Sequence, residues 1–212
     1  PEEEMRLASS PVKEISRDLL AGYNDGARTA KTSIEEVKHF LPRYLELISN
    51  FEFPSHSVEL SLARLSPFEP SEWTAAELEL LESFSREYFR KCLCTHPIPA
   101  MYRGMDSILI MFRKGGLNAM DLLDVWYDET SEQSLLHFRD LFLEGFDPYD
   151  SSKLRSPFGD ETLARNIRTW LSSEKTRVHF SERIEQQILG NAELKEEDVR
   201  GLNLLYEILR FS

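Results

Sequence analysis

Apolar residues recur every three to four positions along almost the whole chain, and that period is the signature of amphipathic helices. Val12, Ile15, Leu19, Leu20 and Tyr23 form the first set, with Ser10 as cap and Pro11 at the first helical position. Asn24-Asp25-Gly26 breaks it. Ser33 and Glu36 read as a capping box ahead of Ile34, Val37, Phe40, Leu41, Tyr44, Leu45 and Ile48. Pro42 falls inside that stripe, where the missing backbone donor predicts a kink or a restart. A short helix is expected over 57–65. Thr74 and Glu77 form a second box and open the longest stripe, Leu78, Leu81, Phe84, Tyr88 and Cys92.

The second half reads the same way. Asp106 to Lys114 is a short helix whose centre, Ile108 to Phe112, is apolar on all sides and therefore buried. Arg113 and Lys114 suit its C-terminal dipole, and Gly115-Gly116 stops it. Asn118 is placed to cap a helix through Tyr127, and Thr130 with Gln133 to box the next, which carries Leu135, Phe138, Leu141 and Phe142. Further helices are expected at 160–172, 180–189 and 194–211, with long loops at 95–105 and 145–159. No segment alternates as a strand would.

The chain is therefore expected to be all-α, with about nine or ten helices in a helical bundle or in stacked helical hairpins. The hairpin spacing is close to the ~40–47-residue period of HEAT-type solenoids, although no residue pattern recurs at a fixed interval. A length of 212 residues suits a single domain, 1–212, with a possible sub-boundary in the loop 145–159. Three short helices beyond that loop would make a marginal core alone.

Charge narrows the partners. Lys and Arg number 25 against 37 Asp and Glu, a net charge of −12. A phosphate backbone or an anionic bilayer is repelled by such a chain, so neither nucleic acid nor membrane is expected. A basic protein partner fits better. No apolar run approaches the ~18 residues of a membrane span. Cys92 and Cys94 are separated by one residue, a spacing that strains a disulfide, so a reducing compartment, the cytoplasm, is expected. Pro1-Glu2-Glu3-Glu4 lacks the features of a signal peptide, while a first residue of Pro fits a trimmed chain. The sequence carries no signal for an oligomeric state.

The phrase Lys38-His39-Phe40-Leu41-Pro42-Arg43-Tyr44-Leu45-Glu46-Leu47 resembles the centre of an uncharacterised family of bacterial all-helical proteins. Pro11 to Tyr23 is similar to a "PL(+)xLSxxLLxxY" phrase that precedes it there, and Thr169-Trp170-Leu171 to a late "TWL" phrase. An N-terminal cysteine cluster and a Thr-Trp-Gly phrase found in that family are missing here. The resemblance implies a bacterial, soluble, helical protein and attaches no activity to it.

Several constellations could carry chemistry. Cys92-x-Cys94-x-His96 offers zinc-ligand types, but no second Cys or His pair completes four ligands, and a core cysteine near a helix end is the simpler reading. No metal and no cofactor is expected. His39, Arg43 and Glu46 could hold an anion, or Arg43 could simply pair with Glu46 or Glu36. No HExxH, GxSxG, GxxxxGK[ST] or GxGxxG phrase occurs, so no catalytic residue is assigned and the reading leans against an enzyme. Asp121, Asp124 and Asp128 recur at i, i+3 and i+7, extended by Glu129 and Glu132, with Trp126 and Tyr127 beside them. Such a stripe could receive a Lys/Arg patch with the aromatics as anchors, or be a solvated face with Trp126 in the core.

The first expectation is thus a non-catalytic protein-interaction domain offering an acidic helical surface to a basic partner, one concrete form being an immunity-type toxin antagonist in a bacterium. The alternative is an enzyme or small-molecule binder with a pocket between loops 95–105 and 147–159, using His96, Tyr102, Arg103 and Tyr149.

Overall fold

The computed structural model describes Leu7 and residues 10–26, 33–66, 68–99, 104–190 and 194–211. Nine α-helices lie among them: α1 (Arg17–Asp25), α2 (Ile34–Ser49), α3 (Ala75–Leu93), α4 (Met105–Lys114), α5 (Asp121–Asp128), α6 (Glu132–Glu144), α7 (Glu161–Ser172), α8 (Glu174–Leu189) and α9 (Glu196–Phe211). Single 3₁₀ turns occupy Val12–Glu14, Val58–Leu60 and Pro70–Glu72. The described residues contain no strand, only an isolated antiparallel bridge between Phe146 and Leu154. The architecture is all-α, as the apolar period requires.

The starts of helices follow side-chain oxygens that can accept an otherwise orphaned backbone N–H. Thr74 and Glu77 make a full reciprocal box: the Thr74 N–H donates to Glu77 Oε2 (2.7 Å) and the Glu77 N–H to Thr74 Oγ1 (3.2 Å). Ser33 accepts from the Glu36 N–H, and Asp160 from that of Leu163. Other starts differ from the sequence expectation. Ser10-Pro11 precedes only a 3₁₀ turn, because Ile15 turns extended and Ser16 becomes the cap, accepting from Leu19 N. Residues 57–65 hold a 3₁₀ turn rather than a helix. Asn118 does not cap α5, which starts from Met120 without a side-chain cap, and Ser131 rather than Thr130 caps α6. Ser173 ends α7 and also caps α8, whose first turn therefore begins at Glu174, earlier than its apolar stripe.

The described residues divide into two compact units. One is drawn from Pro1–Tyr88, Pro99–Met101 and Ser107–Ala119. Its core includes Leu7, Ile15, Leu20, Phe40, Tyr44 and Leu47, with Leu19 and Tyr23 packed on them. Helix α2 runs through Pro42 without a break. Arg43 Nε donates to Ile15 O (2.8 Å) and Nη1 meets Glu46 Oε2 (2.8 Å), so Arg43 fastens the segment before α1 rather than waiting for an anion. His39 sets its ring edge-on to Phe40. At the end of α4, Gly116 adopts φ +81°, the left-handed conformation that glycine tolerates, and the Leu117 N–H closes on Phe112 O.

The second unit is drawn from Phe89–Ile98, Tyr102–Asp106 and Met120–Ser212. The loop 145–159 lies wholly within it. Helix α8 packs on α9, α7 and α6, and α9 also on α6. The core is aromatic: Trp126, fully buried, has Phe89, Phe138, Trp170 and Phe180 around it at ring-centroid distances of 5.8, 6.1, 5.7 and 6.4 Å. Phe138 and Phe180 stack at 3.6 Å.

Candidate functional site

Helix α5 sorts its eight residues by face. Leu122, Leu123, Val125 and Trp126 are buried, while Asp121, Asp124 and Asp128 are exposed. Asp121 and Asp124 sit in the first turn, where a negative charge suits the helix dipole. Among the described residues no ion pair engages any of the three. The rest of the predicted stripe is occupied. Glu129 is partly buried and accepts from the Ser131 N–H (2.9 Å), and Glu132 accepts from Gln187 Nε2 (3.1 Å). Burial pushes the Glu129 carboxyl up, but the Ser131 N–H and the Cys94 thiol outweigh it and hold the carboxyl below its ordinary value.

Trp126 is a correction to the stripe. It shares the face of Leu122, Leu123 and Val125, its indole N–H donates to Ser134 O (3.0 Å), and it has no surface left for a partner. Tyr127 is half-buried. Its hydroxyl bonds the Thr176 hydroxyl (2.6 Å), and the Lys175 ammonium lies 3.8 Å over its ring. The aromatic nearest the carboxylates thus already holds a cation by a cation–π contact.

Of the four residues expected at a loop pocket, only His96 and Tyr149 are among the described residues. Tyr149 is 98% exposed, with its backbone N–H on Asp147 Oδ1 (2.8 Å). Tyr102 and Arg103 lie outside the described residues. His96 is tied inward: its Nε2 bonds Asp140 Oδ2 (2.7 Å), and its ring stands edge-on to His137 at 4.6 Å. Arg139 then joins Asp140 (2.7 Å) to Asp198 of α9 (2.6 Å). Burial raises the Asp140 carboxyl, yet hydrogen bonds from His96 and Arg139 more than offset this and hold it low. A His–Asp pair can orient an imidazole toward a nucleophile, but among the described residues His96 bonds no hydroxyl or thiol. The network is a tie between α6, α9 and the segment after α3. Sequence reading missed it. The only local signal was His137 and Asp140 at i, i+3 on α6.

His137 is buried, and its Nε2–H donates to Thr95 O (2.8 Å), which fixes the tautomer. Burial drives its pKa down to about 4. Cys92 is buried and Cys94 exposed. Partial burial and the neighbouring Glu129 carboxylate push the Cys94 thiol up. Cys94 should therefore react with iodoacetamide at pH 7.5 several-fold more slowly than free cysteine, and Cys92 only after denaturation; mass spectrometry of timed quenches reads both sites.

Among the described residues no group of three or more His, Cys, Asp or Glu side chains is placed to hold a metal ion, and no helix is long and apolar enough to cross a membrane. No protein-family model matches the chain, and neither a curated protein nor a solved structure matches it.

Proposed function

We propose that the chain is a non-catalytic interaction protein that meets a basic protein partner through the carboxylates of α5. One observation carries this reading. Asp121, Asp124 and Asp128 are exposed on one helix face without an ion pair among the described residues, in a chain of net charge −12. Like charges at that spacing repel and cost the helix a little stability, and a cationic surface removes that cost. With Trp126 in the core, the partner's own side chains supply the apolar contact, and the Tyr127 ring, already shown to accept Lys175, marks the rim. An immunity-type antagonist is one concrete form, since an acidic face can cover the basic active site of a nuclease-like toxin.

The test is affinity capture from the native lysate at low salt, followed by a salt ramp, with the wild type and an Asp121→Lys/Asp124→Lys/Asp128→Lys variant. The wild type is expected to retain a stoichiometric basic protein released at ~0.3–0.5 M salt, where exposed charge pairs are screened. The variant is expected to retain none of it while keeping the wild-type helical content by circular dichroism, with a slightly lower denaturation midpoint because the first-turn charges of α5 are reversed. Capture of no basic protein by the wild type, or equal capture by the variant, overturns the reading.

A further inference from the structure

A groove of about 270 Å³ opens within the second unit. Phe142 of α6, Phe146, Leu171 of α7 and Ile208 of α9 form apolar walls, and Arg168 and Arg177 stand beside them. Phe146 is not a loose loop residue. Its bridge to Leu154 is flanked by Asp147 N–H to Lys153 O (3.0 Å) and Arg155 N–H to Gly145 O (2.9 Å), which fold the loop back on itself.

The two arginines differ. Arg177 donates through Nε and Nη2 to Leu209 O (3.0 and 2.8 Å), which satisfies a terminal carbonyl of α9 and offsets the negative end of that helix. Among the described residues the partners of Arg168 are neutral. Its guanidinium lies 4.7 Å over the Phe146 ring and Nη1 donates to Ser151 Oγ (3.0 Å). Among the described residues no ion pair engages it, in contrast to Arg43, Arg139 and Arg155; Arg183 also has neutral hydrogen-bond partners, but Arg168 is the one that stands beside the groove. In a chain with 37 acidic side chains, a half-buried arginine held in place by a ring face and a hydroxyl keeps its charge for something else. A planar guanidinium fixed in this way matches a carboxylate in geometry as well as in sign.

We propose that this groove is a binding site for a small apolar monocarboxylate, with its chain on Phe142, Phe146, Leu171 and Ile208 and its carboxylate on Arg168. The volume sets the size. It lies at the small end of ligand pockets and equals roughly nine water molecules' share of liquid, enough for about eight to ten non-hydrogen atoms. The site is separate from the carboxylates of α5, and its test does not depend on theirs.

Isothermal titration of the full chain with octanoate, 1-octanol and octylammonium tests it. Octanoate is expected to saturate one site with a Kd of about 0.1–1 mM, the range for ligands of that size. It is expected to bind about 10- to 100-fold more tightly than 1-octanol, the worth of a charge-assisted hydrogen bond, and octylammonium not at all. Arg168→Gln removes the preference for octanoate and leaves the 1-octanol affinity in place. Ile208→Phe, which fills the open groove, weakens octanoate and 1-octanol alike. Circular dichroism and the denaturation midpoint confirm that both variants fold. No saturable octanoate binding, equal affinity for octanoate and 1-octanol, or an Arg168→Gln variant that keeps the preference would each overturn the assignment.

Discussion

Trp126→Ala lowers the unfolding free energy by about 3–5 kcal/mol, the range for deleting a buried large aromatic. The indole is fully buried and touches rings from α3, α6, α7 and α8, so no single neighbour can relax into the space it leaves. Its N–H also satisfies Ser134 O, the carbonyl of a residue inside α6, and that acceptor loses a partner in the variant. Domains of this kind are stable by only ~5–15 kcal/mol, so the loss is a large fraction of the whole. Urea denaturation reads it as a fall in the midpoint at nearly constant slope. Trp126→Phe keeps most of the ring contacts and is expected to cost less than half as much. Tyr149→Ala, at a side chain open to solvent, stays within about 0.5 kcal/mol. A Trp126→Ala loss as small as that of Tyr149→Ala would show that the aromatic cluster does not hold the second unit together.

The second large effect is a loss of stability in acid traced to His137. The imidazole is neutral in the fold, with a pKa of about 4, because its burial disfavours the charge. In the unfolded chain it returns to the ordinary value near 6.5. Between those two values the unfolded state binds a proton that the folded state refuses, so stability falls as the pH falls. The contribution is whole above about pH 6.5 and is used up by about pH 4. Its size is about 3 kcal/mol, at ~1.36 kcal/mol for each pKa unit. Asp140, held low beside His96 and Arg139, adds in the same direction at still lower pH. Urea midpoints at pH 7 and pH 4.5 measure the drop. His137→Gln can still donate to Thr95 O and carries no titratable group, so its stability should be much flatter over this range, at the expense of some packing at pH 7. A variant as acid-sensitive as the wild type would place the effect on other groups.

The local features of the fold were written in the sequence. The 3–4 spacing gave the helices, and the Thr74–Glu77 and Ser33–Glu36 pairs marked two of their starts, because a cap is decided within four residues. Where several candidate oxygens stood together, context chose among them. Ser131 displaced Thr130, and Ser16 displaced Ser10, since the choice depends on where the preceding backbone runs. On α5 the carboxylates were legible as an exposed face, but the choice between Trp126 as a partner anchor and Trp126 as core rests on its ring neighbours on four other helices. The tie from His96 through Asp140 and Arg139 to Asp198 joins residues dozens of positions apart, and no periodicity encodes it. The groove was hidden for the same reason. Its walls come from four helices and a loop, and Arg168 stands out only once its place beside them is seen.

Ser173 both closes α7 and opens α8, so the two helices meet with no spare residue between them. Their angular phase is therefore locked through a single backbone unit. One inserted residue would rotate every side chain of α8 by roughly 100° relative to α7. That rotation would turn Phe180 and Ile184 out of the core and swing Arg177 away from the end of α9. The corner therefore has no tolerance for a change in length.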